Sequence, residues 1–475
     1  MTAIKARAGA PPSMVSMATT PMTPVDAAWY HMDSPANPAV VTGILLFKTP
    51  LDFAKVRAVY AERIVEFERF RQRVVERGLA IATPHWEDAD DFDIDRHVHH
   101  LALPEPCDAA ALTTLVNDIA SAPLDHGLPL WHVYVVDGVD GGSALLMRYH
   151  HCIGDGTAMM TVTRRLFDTH PRAPLKAAPV TAAAPAPRAG LLDSAFDLVT
   201  HPQRVVAQAA TVLEGAGMLV NELLKWPDPP SPLKGEFGVG KHVAWSQPVA
   251  ISDVKAIGAS SGAKVNDVLV AAMTGALRSY LQQRGIDVDH TTVRAMVPVD
   301  LRPPERLGRL GNEFGLVILD LAVARKTPAQ RLATTKARMD ALKRSPEAVA
   351  MQLLLDIFGR GPKPLEDLAN QVFGSKASVV MTNVAGPAQT LYLAGTAIDR
   401  MTFFVPHPGQ QLGMGISILS YKGMATLAVI ADARLVPDPQ TITAQFNREF
   451  AAMLRRVKVN AARREGRKAV AQRAP

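Results

Sequence analysis

Two adjacent histidines before a glycine-rich turn are the residues best placed for chemistry in this sequence. His150 and His151 end an apolar run, and Asp155 follows in a turn between Gly154 and Gly156. A neutral imidazole has a pKa near about 6.5, so it can accept a proton from a hydroxyl group near pH 7. Asp155 can fix the turn by hydrogen bonding or pair with a basic residue. The pattern predicts a general base at a strand end, with a structural pair of histidines in a turn as the alternative.

Other patterns that could carry chemistry have unsuitable neighbours. Cys152 adjoins the imidazole instead of facing it, which disfavours a cysteine nucleophile. Residues 258–262 match the G-x-S-x-G spacing, but a helical pattern precedes the serine where that motif needs a strand. Residues 235–241 have the spacing of a phosphate loop, but His242 takes the place of the Ser or Thr that such a loop requires. We expect loops at both places.

The histidines near position 98 do not predict a metal centre. His97 and His99 would share one face of a strand, and His100 follows them. No cysteine nearby completes a familiar zinc spacing. An ordinary polar strand face is favoured, and no metal is expected.

Composition excludes several classes of protein. Hydrophobic residues make up 48% of the 475 residues, which supplies a large core and excludes a disordered or collagen-like chain. The two cysteines, Cys107 and Cys152, exclude a disulfide framework and favour a reducing compartment. Net charge is +6, but residues 455–475 contain eight basic residues and one acidic residue, so residues 1–454 sum to −1. The body is not expected to bind nucleic acid, whereas the basic tail suits an anionic membrane surface, an acidic partner or a solvated terminus.

The hydrophobic pattern places the histidine motif between a strand and a helix. The segment before it reads as a hairpin, because Asp-Gly and Gly-Gly pairs separate two short apolar runs. The predicted strands are 41–47, 131–136, 143–149, 293–299, 316–321, 378–382 and 415–420. The predicted helices are 53–75, 157–167, 253–260, 267–283 and 441–457.

Shifts in composition divide the chain into five segments. Residues 171–190 are rich in Ala and Pro, as in a semi-extended linker, and residues 191–226 have an amphipathic helical pattern. This arm can pack on the body or lie at a membrane interface, and its few Lys and Arg residues favour packing. The predicted segments are a mobile leader (1–23), an α/β domain with the histidine motif (24–170), a linker and helical arm (171–240), a second α/β domain (241–457) and a basic tail (458–475).

No segment predicts a membrane span or a secretory signal. Residues 377–398 and 401–421 are the best candidates for a span, but their Pro, Gly and polar residues fit strands and turns. The first 24 residues lack the apolar run of a signal peptide.

Residues 150–156 have the HHxxxDG pattern of CoA-dependent acyltransferases, a superfamily that includes chloramphenicol acetyltransferase and the condensation domains of peptide synthetases. Together with six further blocks in order, this pattern resembles the bacterial wax ester synthase/diacylglycerol acyltransferase family from about residue 22 to 455. Asp300 and Ala385 depart from it, because many relatives have Ser and Pro there, and neither is expected to touch the chemistry. The further blocks are 22–29, 129–131, 266–267, 297–302, 311–312 and 382–387.

The resemblance implies an α/β fold of two chloramphenicol-acetyltransferase-like domains joined by a long crossover linker. The histidine motif would lie at their interface, in a tunnel that admits acyl-CoA from one side and the acyl acceptor from the other. His151 would be the general base on the acceptor hydroxyl, and His150 would support its geometry. Transfer would be direct, because a thioester is already activated. Acyl-CoA is a co-substrate here, and no cofactor is expected.

The resemblance also implies further site residues, each with packing or turn formation as the alternative. Asn266 is expected near the histidine, and Asp267 is expected to cap its helix. The expected catalytic residues are His151, His150 and Asp155. The expected substrate-binding or tunnel-lining residues are Gly156, Asn266, Asp267, Pro129, Leu130, Trp131 and Asn383.

Two acceptors fit an apolar tunnel with one base. A long-chain alcohol would give a wax ester and a diacylglycerol would give a triacylglycerol, and the sequence does not rank them. Apolar substrates imply a cytoplasmic enzyme held peripherally on the inner face of the plasma membrane or on lipid inclusions, with residues 191–226 and the basic tail as contacts. The alternatives are a related CoA- or carrier-dependent acyltransferase with another acceptor, and a non-enzymatic protein that binds lipid inclusions.

Overall fold

The computed structural model describes residues 19–76, 83–176, 231–303, 306, 308–343, 351–352, 374–407 and 411–471, with side chains of the last helix described to residue 460. The first part of the chain, to residue 176, mixes strands and helices. Its strands are β1 (Thr19–Pro21), β2 (Val40–Phe47), β3 (Gln72–Val75), β4 (His85–Asp88), β5 (Val98–Ala102), β6 (Trp131–Val139) and β7 (Gly142–His150). Its α-helices are α1 (Pro24–His31), α2 (Phe53–Arg63), α3 (Ala109–Ser121) and α4 (Gly156–Leu166). Single 3-10 turns lie at Ile64–Glu66, Glu68–Phe70, Ile94–Arg96 and His151–Ile153.

The part of the chain after residue 230 has the same mixed character. Its strands are β8 (Lys241–Trp245), β9 (Val249–Ala250), β10 (Val293–Asp300), β11 (Phe314–Leu321), β12 (Val379–Ala385), β13 (Tyr392–Leu393), β14 (Thr396–Ala397), β15 (Arg400–Phe404), β16 (Met414–Tyr421) and β17 (Met424–Asp432). Its helices are α5 (Ile251–Ala259), α6 (Val265–Gln283), α7 (Pro328–Leu342) and α8 (Pro439–Ala471). None of these described helices is long and apolar enough to cross a membrane.

The first sheet fixes the end of β7, where the histidine motif begins. Its strand order is β15-β2-β7-β6-β5, so β7 has a paired neighbour on both sides. The β6–β7 hairpin turns at Asp140 and Gly141, whose φ values of 48° and 76° suit a tight reversal. On the other side, Val40 of β2 lies opposite His150. The predicted hairpin is therefore confirmed, and it places the motif at the end of a central strand.

The second sheet has the order β11-β10-β12-β16-β17-β8, with β9 also paired to β17. It packs against α6, which is apolar on nearly all sides and buried along most of its length. Asp267 lies in the first turn of this helix, and its carboxylate accepts a hydrogen bond from the backbone N–H of Lys264 at 2.8 Å. This contact is the capping interaction expected from the sequence.

One strand crosses between the two parts of the chain. β15 comes from the second part but pairs antiparallel with β2, with Thr402 opposite Ile44. Phe404 at its end is buried in a cluster that joins both sheets, with Val243 and Ile430 contributed by the second sheet. The two α/β halves are therefore interlocked, and β15 lies in the first sheet although the predicted boundary at 241 assigns it to the second domain.

The predicted elements are mostly confirmed, with changed ends and some omissions. The predicted helix 53–75 is wrong beyond Arg63, because the apolar residues that follow are buried by two 3-10 turns and by β3. Residues 258–262 form the end of α5 and a turn in which Gly262 has a φ of 65°, as expected of a loop. The strands β4, β8, β9, β15 and β17 were not predicted, whereas the strand expected around His99 is β5.

Both termini differ from expectation where they are described. Residues 19–23, predicted as part of a mobile leader, belong to the fold: β1 pairs with β4, and the Thr23 hydroxyl accepts the N–H of Asp26 at 3.2 Å. The basic tail predicted at 458–475 continues the closing helix to Ala471. Most of the predicted linker and helical arm falls on residues 177–230, outside the described residues.

Replacing Phe404 with Ala should destabilise the protein strongly. The ring is 1% exposed and fills the cluster between the sheets. Emptying a buried aromatic site costs about 3–5 kcal/mol of the free energy of unfolding, so the urea midpoint should fall sharply. Val459→Ala is the control, because that side chain is 50% exposed and its loss should change the free energy by less than about 0.5 kcal/mol. Equal midpoints for the two variants would contradict the interlocked arrangement.

Candidate active site

The imidazole of His151 is held where the two halves meet. His151 follows β7 directly, and its backbone N–H donates to the carbonyl oxygen of Ala39 at 2.8 Å. Its ring stacks on Trp29 of α1, with ring centroids 3.8 Å apart and planes 13° from parallel. Phe314 of β11 packs edge-on against the same ring. The side chain is therefore fixed by residues from both halves of the molecule.

The hydrogen bonds of Asn312 determine which ring nitrogen of His151 carries the proton. Asn312 Nδ2 donates to Asp26 Oδ1 at 2.8 Å and to the backbone oxygen of His151 at 2.9 Å. The backbone oxygen can only accept, so the amide nitrogen faces it and the amide oxygen faces His151 Nδ1, 3.1 Å away. Nδ1 must then donate its proton to Asn312 Oδ1. The lone pair of His151 is left on Nε2, as a general base requires.

Burial keeps this imidazole neutral. It lowers the pKa of His151 to about 4, and the nearby carboxylate of Asp155 opposes part of this shift. A lowered pKa means that the ring stays unprotonated until the pH falls toward 4. Cys152 next to it is also buried, which raises the pKa of its thiol well above the usual range. The thiolate form of Cys152 is thus disfavoured, in agreement with the expectation that it is not the nucleophile.

Asp155 joins the motif to the second half of the protein. One carboxylate oxygen caps α4 by accepting the N–H of Ala158 at 2.9 Å. The other accepts from the guanidinium of Arg302 at 2.8 Å and from the N–H of Glu313 at 2.9 Å. The Arg302 side chain also donates to the carbonyl oxygen of Gly311 at 2.8 Å. Both carboxylate oxygens of Asp155 accept hydrogen bonds, so this side chain holds the two halves together and does not carry a proton in the reaction.

His150 points away from His151 and into the first half. Its Nδ1 accepts the N–H of Cys152 at 3.1 Å, so the proton of the neutral ring lies on Nε2. That nitrogen lies 3.7 Å from Asp33 Oδ1, and the other carboxylate oxygen, Asp33 Oδ2, lies 2.9 Å from His126 Nε2. The three side chains come close enough to suggest a metal site. A protonated Nε2 has no lone pair for a metal, so the arrangement favours a structural role for His150.

The His97 segment is also structural. His97 precedes β5, is buried, and stacks on Trp131 with ring centroids 4.6 Å apart. It is therefore not part of the polar strand face that the sequence predicted. His99 on β5 contacts His132 with 3.0 Å between ring nitrogens, and His100 contacts Asp137 at 2.7 Å.

His151 opens onto a cavity of about 560 Å³ that lies between the halves. Both halves contribute to its lining, and the side chains are mostly apolar. The first half supplies Val25, Trp29, Met32, Val41, Tyr149 and Met159, among others. The second half supplies Met296, Phe314, Leu316, Val380, Phe403 and Leu412, among others. An apolar space with one neutral base suits a long apolar substrate that carries a hydroxyl group.

Some residues expected in the site are found at the cavity. Gly156 and Asn383 line it, as do Asp300 and Ala385, which were not expected to touch the chemistry. The amide nitrogen of Asn383 donates to the amide oxygen of Asn266 at 2.8 Å. Asn266 was expected beside the histidine, but the asparagine that contacts His151 is Asn312.

The expected wall residues Pro129, Leu130 and Trp131 lie outside the lining of this cavity. Leu130 and Trp131 are at most 1% exposed and belong to the core of the first half. The indole N–H of Trp131 donates to the carbonyl oxygen of Phe70 at 2.9 Å. Their physical role is packing in the core at the start of β6, which corrects the expected role in the tunnel wall.

Four residues that build the site were not among the expected site residues: Asp26, Trp29, Arg302 and Asn312. All four fall inside the sequence blocks that carry the resemblance. A signal was therefore present, but local sequence does not show that these blocks meet around one imidazole.

Comparison with known proteins places most of the chain in one family of acyltransferases. Residues 22–269 match the model of the wax ester synthase/diacylglycerol acyltransferase catalytic domain, and residues 310–454 match that of the C-terminal domain. A probable diacylglycerol O-acyltransferase of Mycobacterium tuberculosis H37Rv, tgs2, is 30% identical over 447 residues, which covers 90% of this chain and 96% of the relative. Another from the same organism, tgs1, is 28% identical over 387 residues, covering 80% and 83%.

Solved structures confirm the expected fold of two related α/β domains. The wax ester synthase/diacylglycerol acyltransferase of Marinobacter aquaeolei VT8 has a TM-score of 0.68 at 22% identity, covering 92% of this chain and all of that one. The first condensation domain of the calcium-dependent antibiotic synthetase has a TM-score of 0.61 at 16% identity, covering 92% and 96%.

The tautomer and protonation state of His151 can be observed without any substrate. Because burial favours the neutral ring, ¹H–¹⁵N spectra of histidine-labelled protein should show protonated Nδ1 and unprotonated Nε2 from pH 8 down to about pH 5. Asn312→Leu removes the acceptor and should weaken the preference for Nδ1–H. Asn266→Leu, whose partner is Asn383, should leave the His151 signals unchanged. Titration of wild-type His151 near pH 6.5 would contradict this description.

Proposed function

This chain belongs to the wax ester synthase/diacylglycerol acyltransferase family, and we propose that it transfers a long-chain acyl group from acyl-CoA to a hydroxyl group of a long-chain alcohol or a diacylglycerol. The observation that carries this proposal is the fixed tautomer of His151: Asn312 leaves a lone pair on Nε2 at an apolar cavity. On an alcohol or a diacylglycerol, the proton that such a base can remove is that of the hydroxyl group.

The reaction follows from that base. His151 Nε2 accepts the proton of the acceptor hydroxyl while the oxygen attacks the thioester carbonyl. The new carbon–oxygen bond gives a tetrahedral oxyanion, and its collapse breaks the carbon–sulfur bond. The imidazolium then returns the proton to the departing CoA sulfur. No covalent acyl-enzyme is needed, because the thioester is already activated.

The surroundings of His151 help to stabilise the charges that form in this step. When the ring becomes an imidazolium, its Nδ1–H keeps its acceptor in Asn312, which Asp26 holds in place. The Asp155 carboxylate favours the positive ring through its charge. The first turn of α4, at Gly156 and Thr157, borders the cavity, and the N–H groups of a helix start have no intrahelical partners. Such donors can stabilise an oxyanion by roughly 3 kcal/mol each.

The apolar acceptor also supports association with a lipid surface. An alcohol or diacylglycerol with long chains is held in membranes or lipid inclusions and not in water. The closing helix α8 carries exposed Arg455, Arg456 and Lys458 beyond its packed part. Cationic side chains each favour an anionic membrane by about 1 kcal/mol. We place the protein in the cytoplasm, peripherally bound to the inner membrane face or to lipid inclusions.

His151→Ala should abolish most of the transfer. Thiol release from palmitoyl-CoA with hexadecanol or dipalmitoylglycerol should fall by about two to four orders of magnitude, the usual contribution of a general base. The ratio of the two wild-type rates identifies the preferred acceptor. His290→Ala is the control, because that side chain is 86% exposed and is not among the residues that line the cavity. A folded His151→Ala variant with wild-type rates would refute the assigned base.

A chain that ends at Leu454 should bind anionic vesicles less well than the full chain. The removed residues carry eight of the basic residues and one acidic residue. With several lysines and arginines lost, recovery in flotation with phosphatidylglycerol vesicles should drop severalfold at low salt. Neutral phosphatidylcholine vesicles serve as the control surface. Unchanged recovery would show that the basic tail does not bind the membrane, and it would not bear on the proposed acyl transfer.

A further inference from the structure

Arg164 is a cavity residue that the reaction described above leaves unused. It lies near the C-terminal end of α4, and it is the one Lys or Arg side chain in the described cavity lining. It is exposed, and within the described part of the chain it makes no ion pair or hydrogen bond. The next residue behaves differently: Arg165 is buried and paired with Glu66. Among the described residues, Arg164 is therefore the one positive charge at the cavity without a partner.

One face of α4 connects this charge to the catalytic end of the cavity. The residues of α4 that line the cavity and lie along this face are Gly156, Thr157, Met160, Thr161 and Arg164. Their spacing is that of neighbours on one side of a helix. A helix rises about 1.5 Å per residue, so Arg164 stands about 12 Å along the axis from Gly156. This face of α4 thus forms a wall of the cavity that runs from near His151 to the guanidinium of Arg164, about two helical turns away.

We propose that Arg164 binds the phosphate groups of acyl-CoA and so sets the preference for a CoA thioester over a thioester without phosphates. This inference rests on the proposed function. The pantetheine arm of CoA holds the phosphates well away from the thioester, so their binding residue must stand away from the base. A guanidinium is charged at every working pH and can bond two phosphate oxygens at once. Because Arg164 makes no ion pair among the described residues, phosphate binding does not have to break one there.

A negative charge at the other end of the same wall gives the bound CoA a direction. Asp300 lines the cavity, and its carboxylate accepts a hydrogen bond from the Thr157 hydroxyl at 2.7 Å. Thr157 precedes Arg164 by seven residues, which is about 10 Å along α4. A carboxylate repels phosphate, whereas a guanidinium attracts it. The phosphates are therefore favoured at the Arg164 end, with the uncharged thioester toward Thr157 and the base.

The test compares two donors that share one acyl chain. Palmitoyl-CoA carries the phosphates, and palmitoyl-pantetheine lacks them. Arg164→Gln should raise the KM for palmitoyl-CoA about tenfold, with kcat within about twofold, because an ionic phosphate contact is lost and the base is untouched. The KM for palmitoyl-pantetheine should stay within about twofold of wild type. Arg164→Lys should recover part of the loss, since it restores the charge but not the paired donors.

Arg71→Gln is the matched control, because Arg71 is exposed and lies outside the cavity lining. Binding of CoA itself, measured by titration calorimetry at two salt concentrations, gives a readout independent of turnover. It should weaken about tenfold in Arg164→Gln and should lose most of its salt dependence there. Equal losses with both thioesters, or unchanged CoA binding, would overturn the assignment. A wild type that binds CoA through Arg164 but transfers no acyl group would instead refute the proposed function.

Discussion

The buried contact between Asp155 and Arg302 is the interaction on which the arrangement of the site depends. It joins the loop after the histidines to the second half of the protein, and the same guanidinium holds the carbonyl of Gly311. Asn312, the next residue, then meets the His151 ring. A buried ion pair is weak evidence for added stability, but removal of one partner leaves an uncompensated charge that costs about 3–5 kcal/mol. The pair therefore fixes the relative position of two segments, and the tautomer of the base follows from that position.

Backbone contacts beside this pair leave little freedom for the two loops. Gly311 donates its N–H to Ile153 at 3.0 Å, and the Gly311 φ of 105° suits glycine. A side chain on Gly154 would come within 2.8 Å of Ala158 and 3.3 Å of the Gly311 nitrogen. The two loops approach too closely there for a residue with a side chain at position 154. Glycine at these positions is thus part of the site, although neither residue takes part in the chemistry.

Local patterns in the sequence predicted the parts of the fold that depend on local interactions. The β6–β7 hairpin follows from its Asp-Gly turn, and α6 follows from its apolar run and from Asp267 at its start. Helical spacing failed after Arg63, because apolar residues can be buried by short turns as well as by a continued helix.

The site was predictable at the histidines and not at their partners. The HHxxxDG pattern lies within seven residues, whereas the Asp155–Arg302 contact spans 147 residues and the Asn312–Asp26 contact spans 286. The family blocks marked these segments without showing which of them meet.

The pairing of β15 with β2 affects the order in which a newly made chain can fold. β2 stays an open sheet edge until β15, which ends at Phe404, has been synthesised. At about 5–20 residues per second, the ribosome needs on the order of ten to fifty seconds between His150 and that strand. During this interval the first sheet exposes an apolar edge, and a chaperone that covers such edges would act at that stage of synthesis.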